Sequence, residues 1–230
     1  MKIETLLLTG KNNHDWKRSA PYCRDLMQGT GRFDVKLTEQ PDAMLADAKA
    51  LSKYTLFFVD YNGPDWSDAA KANFIAAVRN GVGVCILHAA NNSFVGWKEY
   101  EEMTALGWRD GTSHGQYHKF DVKITNGQHP ITQGLPPVIK QHPDELYHRL
   151  VHLHAAPYDV IATAYSSPES GGMGKDEPVL VVKTYGKGRI FHCILGHVWE
   201  GGVMDTFENP DFQKILLRGC EWAATGAVAQ

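Results

Sequence analysis

Residues 81–94 read GVGVCILHAANNSF. The apolar run from Val82 to Leu87 is too short for a helix and rich in β-branched residues, so it reads as a buried strand that ends at His88. Two alanines, two asparagines and a serine come next, and Asn and Ser satisfy their own backbone in turns. The carboxyl end of a central strand in an α/β sheet is also where ligands bind. Whether His88 is a turn residue or part of a site depends on what the rest of the chain brings to the same edge.

Upstream, Thr5–Leu8, FDVKLTEQ (33–40) and TLFFVDYNG (55–63) read as strands, and the second of them alternates with period two. Helical segments separate them: one after the polar loop that starts at Thr9, a short one over Ala43–Leu51, and PDWSDAAKANFIAAVRNG (64–81), with Pro64 at its start and Gly81 as its stop. Alternating strands and helices predict a parallel sheet covered on both faces. Downstream the pattern loosens. FDVKITN and DVIATA read as strands, and VLVVKTYGKGRIFHCIL (179–195) as two strands joined by a tight turn, an antiparallel addition to the sheet. Asn209–Ala224 reads as a last helix, and no linker or repeat divides residues 1–230, so one α/β domain is expected.

Composition narrows the function. The formal net charge is −3 and the basic residues are scattered, which argues against a nucleic-acid surface. No apolar run approaches the length of a membrane span, and the first residues carry too short an apolar run for a signal-peptide core, so a cytoplasmic protein with no membrane partner is expected. Cys23, Cys85, Cys193 and Cys220 form no CxxC pair and read as buried, reduced thiols. GxGxxG after the first strand, GxxxxGK[ST] and GxSxG are all missing, so no nucleotide cofactor and no serine nucleophile are predicted.

Histidine is the unusual residue, with eleven in 230. His14 follows the first strand, His88 the fourth and His197 the segment FHCIL, while His114 and His118 punctuate a glycine-rich loop. Parallel strands present their carboxyl ends on one rim, so His14 and His88 are expected to share it, with His197 joining them if its strand also runs parallel; imidazoles converging there either bind a metal or act as acid and base, and the polar loop of His114, Tyr117 and His118 fits a ligand-facing lid. Any one of them alone can be a turn residue with a single backbone hydrogen bond. In HPDELYHRL, Glu145 is the better functional candidate, because Asp144 after Pro143 can simply cap a helix; His148, His152 and His154 read as a solvated edge. Asp60, Asn62, Asn91, Tyr117 and Trp199 belong to the same predicted rim, with Trp97 and Trp108 close by. Amides and carboxylates that bond hydroxyls, beside indoles that cover apolar ring faces, suit a sugar.

LLLTG with His14 and Trp16, GVGVCILHAA, HPITQGLP, DELY, YGKGRIFHCILGH and LLRGCEWAATG occur in an order that resembles the ThuA-like, or trehalose-utilisation, family along nearly the whole chain. The resemblance implies a flavodoxin-like three-layer α/β/α sandwich, related to class I glutamine amidotransferases, with a mostly parallel sheet. Where those enzymes carry a cysteine at the elbow after the corresponding strand, this chain reads LHAAN, so thiol-based glutamine hydrolysis is expected to be absent. GHVWE resembles the place of their His and Glu, which sets His197, and with it Glu200, opposite His88. The family implies sugar utilisation, an enzyme acting on a disaccharide or an oxidised, keto glycoside. In that expectation His88, His197 and Glu145 are catalytic, with Glu145 as base. Asp60, Asn62, Asn91, Tyr117 and Trp199 bind the sugar, and a divalent metal, zinc first, sits on His14, His88, His118 and His197. The competing expectation is a non-catalytic sugar-binding or regulatory module. The 179–195 hairpin, if it lies at a sheet edge, could pair two copies as a homo-oligomer.

Overall fold

A computed structural model describes residues 2–229. The first strands are β1 (Ile3–Leu8), β2 (Phe33–Thr38), β3 (Leu56–Val59) and β4 (Gly83–Leu87), and the later ones β5 (His118–Ile124), β6 (Val138–Asp144), β7 (Asp159–Ser166), β8 (Lys175–Tyr185) and β9 (Gly188–Cys193). Among the described residues these nine form one sheet in the order β2-β1-β3-β4-β9-β8-β7-β5-β6. β2, β1, β3, β4 and β9 run parallel. Each later pairing, β9 with β8, β8 with β7, β7 with β5 and β5 with β6, is antiparallel.

Two apolar layers cover the sheet, because period-two alternation sends neighbouring strand residues to opposite faces. On one side Leu7, Phe58, Cys85 and Phe191 meet α1 (Trp16–Gly29) and the final helix, α5 (Pro210–Thr225), through Met27, Phe212 and Leu216. Gly219 allows α5 its close approach: a Cβ there would stand 2.0 Å from the Phe191 ring. On the other side Leu6, Leu8, Phe57 and Ile86 meet α2 (Pro41–Ala46), α3 (Asp68–Arg79) and α4 (Lys98–Thr104) through Leu45, Phe74 and Tyr100. The three-layer α/β/α architecture is therefore present, with an antiparallel extension of four strands.

Several local expectations change. The segment expected as one helix over Ala43–Leu51 is two, Pro41–Ala46 and Ala48–Leu51, because Asp47 is extended and caps the second through the N–H groups of Lys49 and Ala50. The 179–195 hairpin is not at an edge, since β9 is flanked by β4 and β8 by β7, so its strands have no free pairing side. Asp144 caps no helix and instead ends β6. His148 is buried, not solvated.

The strand directions place the site. β9 runs parallel to β4, so His88 and His197 both follow carboxyl ends on one rim. Four antiparallel steps beyond β9 bring β6 back to the same direction, so Asp144 and Glu145 emerge on that rim too. In a flat sheet β6 would lie about 19 Å from β9 at the usual strand spacing. The sheet curls over α5 instead, with the His142 ring on β6 stacked on Phe212 at 5.9 Å, and the end of β6 reaches the loop after β9.

Candidate metal and sugar site

His88 is the first residue after β4 and carries φ +44°, an uncommon backbone state for a β-carbon residue. This sharp turn aims the imidazole back over the sheet edge. Its Nδ1 lies 2.6 Å from the Ile194 carbonyl oxygen, so Nδ1 carries the hydrogen and Nε2 holds the lone pair. Asp144 positions two further groups. Its Oδ2 accepts the Gly196 N–H at 2.8 Å and the His142 Nε2–H at 3.0 Å, while its Oδ1 accepts the backbone N–H of Glu145 at 2.7 Å and of His197 at 3.1 Å. Gly196 meets that carboxylate with φ +126°, a conformation glycine adopts without strain.

His14, His88, Glu145 and His197 are all buried, and one ligand atom from each lies within 4.8 Å of the others. His14 Nε2 stands 3.1 Å from His197 Nδ1, which is 3.1 Å from Glu145 Oε2. The other Glu145 oxygen is 2.9 Å from His114 Nδ1. His88 Nε2 is buried without a hydrogen-bond partner, a costly arrangement unless something else binds there; His14 Nδ1 and His197 Nε2, on the far sides of their rings from the nitrogens that converge, are buried without one as well. Burial, with His197 and His114 adding like charge, drives His14 down to about 3. Burial, then His14 and His197, also hold His88 well below the usual imidazole value. Both rings are therefore neutral at pH 7, the form that donates to a cation. Edges of a tetrahedral zinc site measure about 3.4 Å, so the closest pairs, at 3.1 Å, already fit and the widest, up to 4.8 Å, needs up to about 1.4 Å of contraction. Three imidazoles, a carboxylate and an outward hydrogen bond that fixes the His88 tautomer form a donor set that fits a divalent metal.

The cluster opens into a cavity of about 180 Å³ lined by His14, Asn92, Trp108, His114, Glu145 and Trp199, among others. Trp199 is 51% exposed and lies nearly parallel to His14, with ring centroids 5.1 Å apart. Arg18 holds the loop behind it, donating to the carbonyls of Trp199 at 2.9 Å and Gly202 at 2.8 Å. Tyr147 stacks on His88 at 4.3 Å. A separate cavity of about 380 Å³ beside α3, lined by Leu51, Tyr54 and Asn73, carries no carboxylate, imidazole or thiol and stands apart from this chemistry.

The residues singled out in the sequence do not all meet. His14, His88, His197 and Glu145 come together, whereas His118 faces away, its Nδ1 on the Gln116 carbonyl at 2.7 Å and its Nε2 on the Ser170 hydroxyl at 3.2 Å. Asp60 is buried behind the rim, where it accepts from Ser19 at 2.6 Å and Asn12 at 2.8 Å, and Asn12 in turn accepts the His14 N–H. Asp60 therefore shapes the His14 loop and does not line the cavity. Asn62 bonds Asn13 at 2.8 Å, and the Asn91 side chain is wholly buried below the rim. Tyr117 approaches His197, with ring centroids 5.9 Å apart, and donates its hydroxyl to Asp205. Glu200 is exposed and lies outside the group of four ligands. His114 and Asp144 are the contributors that sequence reasoning left unassigned. Only the position of His114 beside Glu145 in space reveals its part, and Asp144 is disguised as a helix cap.

All four cysteines are buried and unpaired, and burial raises the Cys85 thiol well above its usual range, so none is placed to attack a substrate. No helix among the described residues is long and apolar enough to cross a membrane.

The ThuA family model, described as trehalose utilisation, matches residues 4–223. No curated protein matches the chain. A protein described as ThuA-like from Parabacteroides merdae superposes with a TM-score of 0.90 at 35% identity, covering 100% of this chain and 92% of its own. Another described as ThuA-like, from Bacteroides uniformis, gives 0.74 at 16% identity over 98% and 94%. A cytoplasmic protein from Salmonella typhimurium LT2 gives 0.68 at 16% over 97% and 100%. The last two share the fold.

Proposed function

This chain belongs to the ThuA, trehalose utilisation, family, and from that premise we propose that it is an enzyme that cleaves an oxidised, keto glycoside at a divalent metal site, zinc first among the candidates. The observation that carries the reading is the buried set His14, His88, Glu145 and His197, whose ligand atoms lie within 4.8 Å of one another with His88 Nε2 left without a partner, opening on a cavity walled by two indoles. A divalent cation held by the three imidazoles, or by these with Glu145 in an expanded coordination that keeps a position for substrate, would supply Lewis-acid polarisation of a sugar carbonyl oxygen.

The chain's own residues supply the rest. Trp199 and Trp108 offer flat apolar faces for a pyranose ring, and Asn92 and Asn13 offer amides for its hydroxyls. Both Glu145 oxygens are engaged, one toward His197 and one toward His114, so the carboxylate serves as ligand and as orienting partner. Its pairing with His114 Nδ1, at which Gly115 O also accepts at 2.7 Å, leaves the lone pair of the His114 Nε2 for a substrate proton. In this assignment His114 takes the role of base first expected of Glu145.

Chemistry selects the oxidised position. With a carbonyl at C3 of the sugar, the C2 proton is acidic and the glycosidic oxygen on C1 lies β to the carbonyl. His114 removes the C2 proton, the C–H electron pair becomes the C1–C2 double bond, and the C1–O bond breaks with its electrons going to the leaving oxygen. That oxygen takes up a proton, and later addition of water across the double bond restores a free keto sugar.

The test is turnover of methyl 3-keto-glucoside by the zinc-loaded protein, followed by NMR. Release of methanol, lost in His88→Ala and His114→Ala, supports the reading. Binding without release in the wild type would overturn it in favour of a sugar-binding module.

A further inference from the structure

We propose that Ser170 and His118 form a second catalytic pair, nucleophile and base, which hydrolyses small uncharged carboxylic esters in a recess of its own and independently of the histidine cluster. His118 is the rim histidine that the cluster leaves out. Its Nδ1 lies 2.7 Å from the Gln116 carbonyl oxygen, which can only accept, so in the neutral ring Nδ1 carries the hydrogen and the Nε2 lone pair faces the Ser170 hydroxyl at 3.2 Å. A nucleophile, a base and a third group that fixes the tautomer of the base thus stand within the reach that activates a serine. The Ser170 hydroxyl hydrogen has two acceptors, His118 Nε2 and the Ser167 carbonyl at 3.1 Å, and the orientation toward His118 is the reactive one. No GxSxG elbow marks this serine, which lies in PESGG (168–172). Such a pair is defined by geometry and not by sequence position.

The recess, about 390 Å³, opens where two strands part. β5 pairs with β7 only through Val122–Ile124 against Ala162–Ala164. Nearer the start of β5 the pairing stops, and Ser167 and Ser170, in the loop after β7, stand across the gap from His118. Phe120, which packs against the His118 ring at 5.2 Å, and Tyr165, 52% exposed, give the gap apolar surface for the body of an ester. Lys119 and Ser167 line the same space and can donate to a developing oxyanion; Ser167 Oγ accepts the Glu169 N–H at 3.3 Å and keeps its own hydrogen to give. Asp121 is paired with Lys140 at 2.6 Å, whereas the Glu169 carboxylate stays exposed at the mouth and disfavours an anionic ester. The volume lies near the lower end of the range for ligand pockets, which restricts the substrate to a small one.

Both partners are held before a substrate arrives. The Gln116 N–H donates to the Ser170 carbonyl at 2.8 Å, and Gly115 permits that approach, since a Cβ there would stand 2.7 Å from the same oxygen. The Ser170 loop is also closed on itself, with the Gly172 N–H on the Ser167 carbonyl at 2.8 Å and the Gly174 N–H on the Ser166 carbonyl at 2.7 Å. In the reaction Ser170 Oγ attacks the ester carbonyl carbon while its proton passes to His118 Nε2. The C–O bond to the alcohol then breaks, and its electron pair and the proton on His118 both go to the leaving oxygen. Water attacks the acyl-serine in turn, giving a proton to His118, which returns it to Oγ as the carboxylic acid departs.

The experiment follows hydrolysis of p-nitrophenyl acetate by the full-length protein, with the acetylated residue located by tandem mass spectrometry after an acid quench. Ser170→Ala and His118→Ala are measured beside the wild type, with thermal unfolding to verify folding. Saturable turnover with acetyl on Ser170, lowered at least about 100-fold in each variant, is the expected result. Acetyl groups scattered over lysines and tyrosines with none on Ser170, or either variant hydrolysing the ester as fast as the wild type, would overturn the pair. Hydrolysis that a chelator abolishes and Ser170→Ala leaves intact would overturn it as well, by placing the ester chemistry at the histidine cluster.

Discussion

The Asp144 carboxylate, at the end of β6, accepts the backbone N–H of His197 at 3.1 Å, joining the last strand of the curled sheet edge to the loop after a strand of its parallel half. The same carboxylate fixes Gly196, Glu145 and His142, so one wholly buried side chain registers two of the four residues of the cluster. An amide cannot replace it, because the NH₂ of asparagine would face donors. Asp144→Asn should therefore cost about 3 kcal/mol in urea unfolding, from lost charge-assisted bonds and donors left unpaired. It should also weaken zinc binding by about 10- to 100-fold. A change below about 0.5 kcal/mol would mean that the loop is held by other contacts.

Asp60 carries a pH dependence of stability. Burial pushes its carboxyl from 3.8 up to about 6, only partly countered by bonds from Ser19 and Asn12. Between those two values the unfolded chain releases the proton while the folded chain retains it, so stability falls as pH rises through that window and then stays reduced. Asp60→Asn removes the ionisation and keeps the shape. It should match the wild type below about pH 4 and exceed it by about 2–3 kcal/mol above pH 7, at about 1.4 kcal/mol per unit. Thermal or urea unfolding across pH 4–8 reads this directly, and parallel curves for the two proteins would contradict it.

Trp199 is half exposed above His14, in a loop tied down by Arg18 through backbone carbonyls, so its indole can be removed without unfastening the loop. Trp199→Ala should leave unfolding free energy within about 0.5 kcal/mol of wild type, as surface substitutions usually do. Affinity for a glucoside should fall roughly 10-fold through loss of the stacking face. Isothermal titration with methyl 3-keto-glucoside measures it, and unaltered affinity would place the sugar elsewhere.

The parallel half of the fold is legible because its strands are short, apolar and β-branched, and each is followed by a helix with a start or stop signal. His14 and His88 are legible for the same reason, as each follows such a strand on a shared rim, whereas His197 joins them only because β9 runs parallel to β4, a direction the hairpin pattern left open. The extension is harder to read. β6 is VIKQHPD, without alternation, with Pro143 inside it and Gln141 at φ +54°, and beside Ile139 and Pro143 its buried residues are His142 and Asp144, polar groups that sequence pattern does not assign to a core. His118 begins an antiparallel strand, so it too stands on the rim, but its ring is spent on Gln116 and Ser170. Nothing in linear spacing separates it from His114, four residues earlier, which reaches Glu145. The missing information is the curl of the sheet, a tertiary feature that brings residues from β6 to those after β9.

The central claim is that His14, His88, Glu145 and His197 form one metal site. The direct measurement is metal content by mass spectrometry together with zinc titration against a competing chelator, for the wild type, His88→Ala and His197→Ala. One equivalent of tightly held zinc in the wild type, lost in both variants while far-UV circular dichroism is retained, is the predicted result. A wild-type protein that takes up no zinc, or variants that bind it as tightly as the wild type, would contradict the claim.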